Sequence, residues 1–223
     1  MIHYPITIVD NFFDDPDYVV SLSKNAVWHH DVTYKWPGER SQTIEELDPE
    51  FYKYLLFKYF LLFYPTDDLN NKFMVNGTSY FQRIPAGLEL GWVHNDYPTL
   101  HTFMIYLTPN ADLGSGTGLF TPRTGHVDDP LQYQKVQYYK GEIDKEKARE
   151  YQQKHTSQFI QTVACGNVYN RCVGFDAHLW HGALNLNAQQ EERLTLITFI
   201  EEIVTTKSPI SNSKSLPFIR HER

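Results

Sequence analysis

The sequence predicts an α+β chain, mainly β, in which helices at the front pack on a β-sandwich or jelly-roll barrel. Three observations predict it. Helix-start signals gather in about residues 1–70. From Lys72 onward, short β-rich runs are separated by Pro, Gly, Asn and Asp. The composition includes 15 Tyr and 14 Phe, which suits strands better than a helical bundle. Helices first and strands afterwards is the order of an α+β architecture.

Ile6-Thr7-Ile8-Val9 reads as a strand and Asp10-Asn11 as the turn after it. Pro16 to Ser23 reads as a first helix capped by Asp14 or Asp15. Trp36-Pro37-Gly38 makes a loop. Asp48-Pro49-Glu50 starts a second helix with a cap, a proline at the first helical position and an acid at the positive dipole end. That helix is expected to reach Phe63, with Pro65 beyond it, and its stripe of Phe51, Tyr54, Leu55 and Leu62 to pack on a sheet. Strands are expected at Phe73 to Val75, Ser79 to Ile84, Thr99 to Leu107, Gly118 to Thr121, Phe159 to Val163, Val168 to Phe175 and Leu194 to Ile203. The whole reads as one domain, 1–223, with a core at about 72–204, an insertion at about 126–157 and a weakly patterned tail at 207–223. Within the insertion, Asp144 to His155 reads as a solvated helix.

At 223 residues, 41% hydrophobic and 15% aromatic, the chain can bury a sizeable core. Its net charge of −7 argues against general nucleic-acid binding, because no Lys/Arg run could displace phosphate counterions. The stretch Tyr54 to Tyr64 contains Lys58 and is too short to span a bilayer. Met1 to Pro5 lacks a basic segment leading into an apolar one, so a cytoplasmic location is expected. Cys165 and Cys172 are the only cysteines and are expected as buried thiols in a reducing compartment.

The chemistry centres on His94-Asn95-Asp96, followed far downstream by His181 and Arg193. In an extended segment, residues two apart point to one side, so His94 and Asp96 can reach one ion. His181 would arrive from another strand. Two neutral nitrogens and one carboxylate, capping one face of an octahedral ion, suit Fe(II) and leave positions open for O2 and a co-substrate. A fixed cation such as Arg193 offers paired donors to a carboxylate. His178 competes with His181 but lacks the following glycine; it reads as a loop residue. His101 would point away from Thr102, Met104 and Tyr106, and His29-His30 reads as a surface pair. Trp92 and Tyr97 flank the motif and could line a cleft or pack in a core.

These motifs, in this order, resemble the 2-oxoglutarate- and Fe(II)-dependent oxygenases, with the prolyl-hydroxylase-type members as the nearest branch. The resemblance is carried by H-x-D, a strand ending Tyr106-Leu107, the Gly-rich turn Gly114-Ser115-Gly116-Thr117-Gly118, His181-Gly182 and then Arg193-Leu194-Thr195. Ile8 to Phe13 is similar to the opening of those proteins. Trp36-Pro37-Gly38-Glu39-Arg40-Ser41 is similar to a segment of a little-characterised bacterial and phage group among them.

The resemblance implies a double-stranded β-helix with His94, Asp96 and His181 as iron ligands. It also implies that Arg193, helped by Tyr106 and Thr195, binds the distal carboxylate of 2-oxoglutarate. The implied reaction consumes O2, decarboxylates 2-oxoglutarate to succinate and CO2, and hydroxylates an amino-acid or peptidyl side chain or a small molecule. Asp96 favours hydroxylation over halogenation, which needs a small residue there. One position departs from the pattern: Ile84 stands where the branch often has Tyr, and Tyr80 lies nearby. Two other readings use the same ligands, a Zn-dependent hydrolase and a non-catalytic metal-binding jelly-roll module. The hydrolase needs a general base near the metal and gives no reason for Arg193.

Overall fold

A seven-stranded antiparallel sheet forms the back wall of the molecule and a three-stranded one the front. The computed structural model describes residues 6–30, 36–64, 73–88, 91–125, 127, 131–186 and 191–205. Residues 1–5, Pro65, Lys72 and the tail 207–223 lie outside these, as do 126 and 128–130 at the start of the expected insertion.

In chain order the elements are β1 (Thr7–Val9), α1 (Pro16–Lys24), β2 (Trp28–His30), β3 (Glu39–Ser41), α2 (Ile44–Leu47) and α3 (Pro49–Phe60). There follow β4 (Met74–Ile84), β5 (His101–Tyr106), β6 (Thr117–Pro122), α4 (Leu131–Tyr139) and α5 (Lys145–Thr156). The last four are β7 (Phe159–Cys165), β8 (Cys172–Asp176), β9 (Trp180–Ala183) and β10 (Arg193–Val204). The large sheet runs β1-β8-β5-β10-β4-β3-β2, and the small one β7-β6-β9. The fold is α+β and mainly β, a double-stranded β-helix with N-terminal helices packed on it.

The helices begin where the sequence indicates. Asp15 Oδ1 accepts the Tyr18 amide at 2.9 Å and Asp48 Oδ1 the Phe51 amide at 3.0 Å, each with proline at the start of the helix. Such caps are worth about 1 kcal/mol apiece. α3 ends at Phe60 in a turn, three residues earlier than expected.

Alternation along the central strands sets up two cores. Phe81, Phe103, Ile105, Leu196 and Ile200 face the helices, where Tyr59 stacks on Phe103 with centroids 4.0 Å apart. Burial of each such side chain is worth about 1.5–3 kcal/mol. On the opposite face, Tyr106, Leu119, Cys165, Val173 and Phe175 fill the space between the sheets. His101 belongs to the helix-facing side, against Phe103 and Phe63. Cys165 and Cys172 are free and buried.

Several elements differ from expectation. β4 is a single strand of 11 residues, where Asn76-Gly77-Thr78 had indicated a break. Gly77 stays in the ladder because the neighbouring strand crosses close to it; a Cβ there would lie 2.4 Å from the Phe199 carbonyl oxygen. β2, β3 and β9 were not anticipated, and each has only three or four residues, too few for a period-2 signal. The Gly-rich segment is a short 3-10 turn, Leu113–Ser115, and Thr117 already belongs to β6. α5 is not simply solvated, since Ala148 and His155 are buried.

Candidate metal centre and its cavity

The backbone brings two distant histidines together. His94 donates its amide to the His181 carbonyl at 2.8 Å, and His181 returns the bond at 2.7 Å. This single antiparallel bridge sets their rings 4.4 Å apart at centroids. Gly182 permits the approach, because a Cβ on it would lie 2.9 Å from the Trp92 carbonyl oxygen. Asp96 is fixed in turn by its amide, which donates to the Ala177 carbonyl at 2.9 Å.

The side chains then converge. One ligand atom from each of His94, Asp96 and His181 lies within 4.8 Å of the others. His181 Nε2 is 3.3 Å from Asp96 Oδ2, and His94 Nε2 is 3.7 Å from Asp96 Oδ1. Both separations are under twice a metal–ligand bond of about 2.0–2.2 Å, so one ion can touch both partners.

The tautomers fit as well. His94 Nδ1 donates to the Trp92 carbonyl at 2.8 Å and His181 Nδ1 to the Leu179 carbonyl at 2.9 Å. A proton held on Nδ1 leaves the Nε2 lone pair of each ring facing Asp96, the arrangement metal-binding histidines adopt. Thr102 donates its hydroxyl to Asp96 Oδ2 at 2.8 Å.

Electrostatics keep the set ready for a cation. Burial, then the charge of His181 and of Lys135, push the His94 pKa down to about 3, so its ring is neutral. Burial alone would raise Asp96, but in the metal-free protein a second proton on His181, at Nε2, which a bound metal would displace, outweighs it and holds the carboxyl below its ordinary value.

A cavity of about 520 Å³ opens from the three side chains. Arg193 lines it and is 3% exposed. Its Nη2 reaches Met104 Sδ at 3.5 Å and its Cζ sits 5.4 Å from the Tyr106 ring centre, but its Nε is buried with no hydrogen-bond partner. Among the described residues no carboxylate pairs with it. A buried guanidinium without a counter-ion is costly, so this position fits an anion. Burial pulls its pKa below the ordinary value, with Tyr106 partly opposing; arginine still keeps its charge in proteins.

The other candidates fall around this arrangement. Tyr106 is fully buried behind the cavity wall and donates its hydroxyl to Thr117 Oγ1 at 2.7 Å. Thr117 lines the cavity. Thr195 shares the Arg193 face of β10, with its hydroxyl 3.4 Å from the Gln82 carbonyl oxygen. His178 is turned away, paired with Asp176 Oδ1 at 2.9 Å and edge-on to Tyr97. Ile84 and Tyr80 both line the cavity. Trp92 lines it from a buried position, whereas Tyr97 stands at the rim, 73% exposed. His29 and His30 lie on exposed β2, where His30 contacts Glu39.

Sequence reading missed α4, which contributes Lys135, Val136 and Tyr139 to the cavity. It also missed Arg40 as a lining residue. The one signal for Arg40 was its place in Trp36 to Ser41, which carried a resemblance but no assigned role.

Together these features define a double-stranded β-helix protein with a two-histidine, one-carboxylate cluster at the mouth of its barrel. The chain belongs to the family described as DUF6445, a family of unknown function, whose model matches residues 2–200. No curated protein matches it in sequence. Solved structures share its fold. HygX from Streptomyces hygroscopicus, with nickel and 2-oxoglutarate bound, is 12% identical with a TM-score of 0.53, over 87% of this chain and 82% of that one. A 2OG-Fe(II) oxygenase family oxidoreductase from Burkholderia pseudomallei is 11% identical with a TM-score of 0.51, over 88% and 84%. A Pseudomonas putida prolyl-4-hydroxylase is 12% identical with a TM-score of 0.50, over 88% and 92%. The fold is that of 2-oxoglutarate- and Fe(II)-dependent oxygenases.

Proposed function

We propose that this protein is a 2-oxoglutarate- and Fe(II)-dependent dioxygenase of the prolyl-hydroxylase-like branch, acting as a hydroxylase on an amino-acid or peptidyl side chain or a small molecule. One observation carries the reading. Two imidazoles with their Nδ1 protons tied to backbone carbonyls present Nε2 to Asp96, and a buried guanidinium that no carboxylate among the described residues pairs with lines the same cavity.

His94, Asp96 and His181 would hold the metal. Arg193 would hold the distal carboxylate of 2-oxoglutarate, with Tyr106 and Thr195 packed beside it. When bound, iron and 2-oxoglutarate supply the oxidising power: O2 is consumed, 2-oxoglutarate is decarboxylated to succinate and CO2, and a hydroxyl is delivered to the substrate. The chain's own contribution is positional. The His94–His181 backbone bridge fixes the two imidazoles, and Thr102 orients Asp96. Asp96 fills the coordination place that halogenation would need vacant.

A Zn-dependent hydrolase on the same ligands is less well supported. Beyond Asp96, the only carboxylate lining the cavity among the described residues is the exposed Glu201, and such an enzyme would have no use for a buried Arg193. The net charge of −7 disfavours a nucleic-acid substrate. No helix among the described residues is long and apolar enough to cross a membrane. Two free, buried cysteines suit the reducing cytoplasm.

The test is aerobic incubation of purified protein with Fe(II), ascorbate and 2-oxoglutarate, with succinate quantified. Succinate formed only with Fe(II), and lost in Asp96→Ala, supports the reading. Failure to bind 2-oxoglutarate in the metal-loaded protein would remove it.

A further inference from the structure

Resting on the oxygenase reading, one group that the reaction does not use touches the proposed co-substrate subsite. It is the thioether of Met104. Met104 stands on β5 between Thr102, whose hydroxyl holds Asp96, and Tyr106, whose ring lies beside Arg193. Residues two apart on a strand share a face, so the three form one row. Arg193 Nη2 donates to Met104 Sδ at 3.5 Å. The Thr117 hydroxyl donates to the same sulfur, also at 3.5 Å. Its proton is free to do so because Tyr106 supplies the one in the bond between the two hydroxyls.

A thioether is a weak acceptor, so this sulfur gives a buried guanidinium little in return. Its lone pair is nucleophilic toward peroxides, and the sulfoxide that results is polar. Access suits the reaction. Met104 is half-buried and lines the cavity of about 520 Å³, whereas Cys165 and Cys172 are each 1% exposed. Met74 provides a built-in comparison. It is 48% exposed and opposite Val204, at the other end of β4 from the Ile84–Arg193 pair.

The chemistry balances with hydrogen peroxide as oxidant. The sulfur lone pair attacks one peroxide oxygen, and the S–O bond forms as the O–O bond breaks. The departing hydroxide takes the proton from the transferred oxygen and leaves as water. Sulfur loses two electrons and the peroxide gains them. The two donors already aimed at the sulfur are then within reach of the new oxygen, which accepts far more strongly.

We propose that Met104 is a redox-modification site: peroxide converts its thioether to a sulfoxide, whose oxygen engages Arg193 and shuts out 2-oxoglutarate.

The experiment treats the full chain with hydrogen peroxide in the presence of a chelator, removes both, and loads Mn(II). Peptide mass mapping locates each added oxygen, and calorimetry reads 2-oxoglutarate affinity. Expected is a sulfoxide at Met104 as well as at Met74. The 2-oxoglutarate dissociation constant should rise about tenfold or more, the value of one charge-assisted hydrogen bond. Mn(II) affinity should hold, because the sulfur is not among the proposed ligands. After the same treatment Met104→Leu should keep its own untreated affinity, and Met74→Leu should still show the loss. Mn(II) and 2-oxoglutarate added before the peroxide should protect Met104 and leave Met74 open to oxidation. Oxidation of Met74 with Met104 intact would overturn the inference. So would a Met104 sulfoxide with unchanged affinity, or a loss that persists in Met104→Leu. Failure of the untreated, Mn(II)-loaded wild type to bind 2-oxoglutarate would instead overturn the oxygenase reading, and this inference with it.

Discussion

His155 Nε2 donates to the Val93 carbonyl oxygen at 2.7 Å, linking α5 to the segment that carries His94. One turn earlier, Gln152 donates to the Gly91 carbonyl at 2.9 Å. α5 therefore braces the segment that carries His94, and α4 lines the cavity. In His155→Ala the buried Val93 carbonyl loses its partner, a loss of about 1–3 kcal/mol. The melting temperature should fall by about 2–12 °C. A differential scanning measurement with no change would show that α5 is not a brace.

Thr102 is positioned to act through Asp96 rather than on substrate. Thr102→Val keeps the shape and deletes the 2.8 Å bond to Asp96 Oδ2. Metal affinity should fall roughly 10- to 100-fold, as when other partners of metal ligands are lost. Equilibrium dialysis with Mn(II) checks this, and unchanged affinity would contradict it.

Arg193→Ala removes the buried cation while leaving the three metal-side residues in place. The 2-oxoglutarate dissociation constant should rise roughly 10- to 150-fold, the value of a charge-assisted hydrogen bond. Iron content should stay near that of the wild type. Calorimetric titration giving the same 2-oxoglutarate affinity would withdraw Arg193 from the anion-binding role.

His101 makes stability depend on pH. Burial pushes its pKa down from 6.5 to about 3, with Asp176 opposing. The folded state thus binds its proton less readily than the unfolded chain. Between about pH 6.5 and 3 the unfolded chain holds more protons, so stability is full above this window and is lost as pH falls through it. His101→Phe, which can keep the stack on Phe103, should flatten the fall of melting temperature from pH 6.5 toward 4. Parallel curves for the two proteins would contradict the assignment.

The candidate His94, Asp96 and His181 cluster was legible because each piece carries a local signal, a same-side pair at His94 and Asp96 and a histidine-glycine pair much later in the chain. The place of Arg193 at the head of an apolar strand was legible too; its anion-binding role belongs to the proposed function. The fold class followed from α1 and α3, whose caps are written in Asp15-Pro16 and Asp48-Pro49. What escaped depends on partners distant in sequence. Gly77 looks like a break until Phe199 lies across it, and the placing of Arg40 in the cavity wall arises only when Trp36, Tyr80 and Phe199 are folded around it. The charged face of α5 reads as solvated because the two residues that tie it to the Gly91–Val93 segment, Gln152 and His155, are themselves polar.

The central claim is that three side chains grip one divalent ion with a guanidinium set back to hold a diacid. Its most direct test is a crystal structure of the protein soaked with Mn(II) and 2-oxoglutarate. Expected is one ion bonded to Nε2 of His94, Nε2 of His181 and a carboxylate oxygen of Asp96, with the far carboxylate of 2-oxoglutarate against Arg193. An ion bound elsewhere, or a diacid seated away from Arg193, would contradict it.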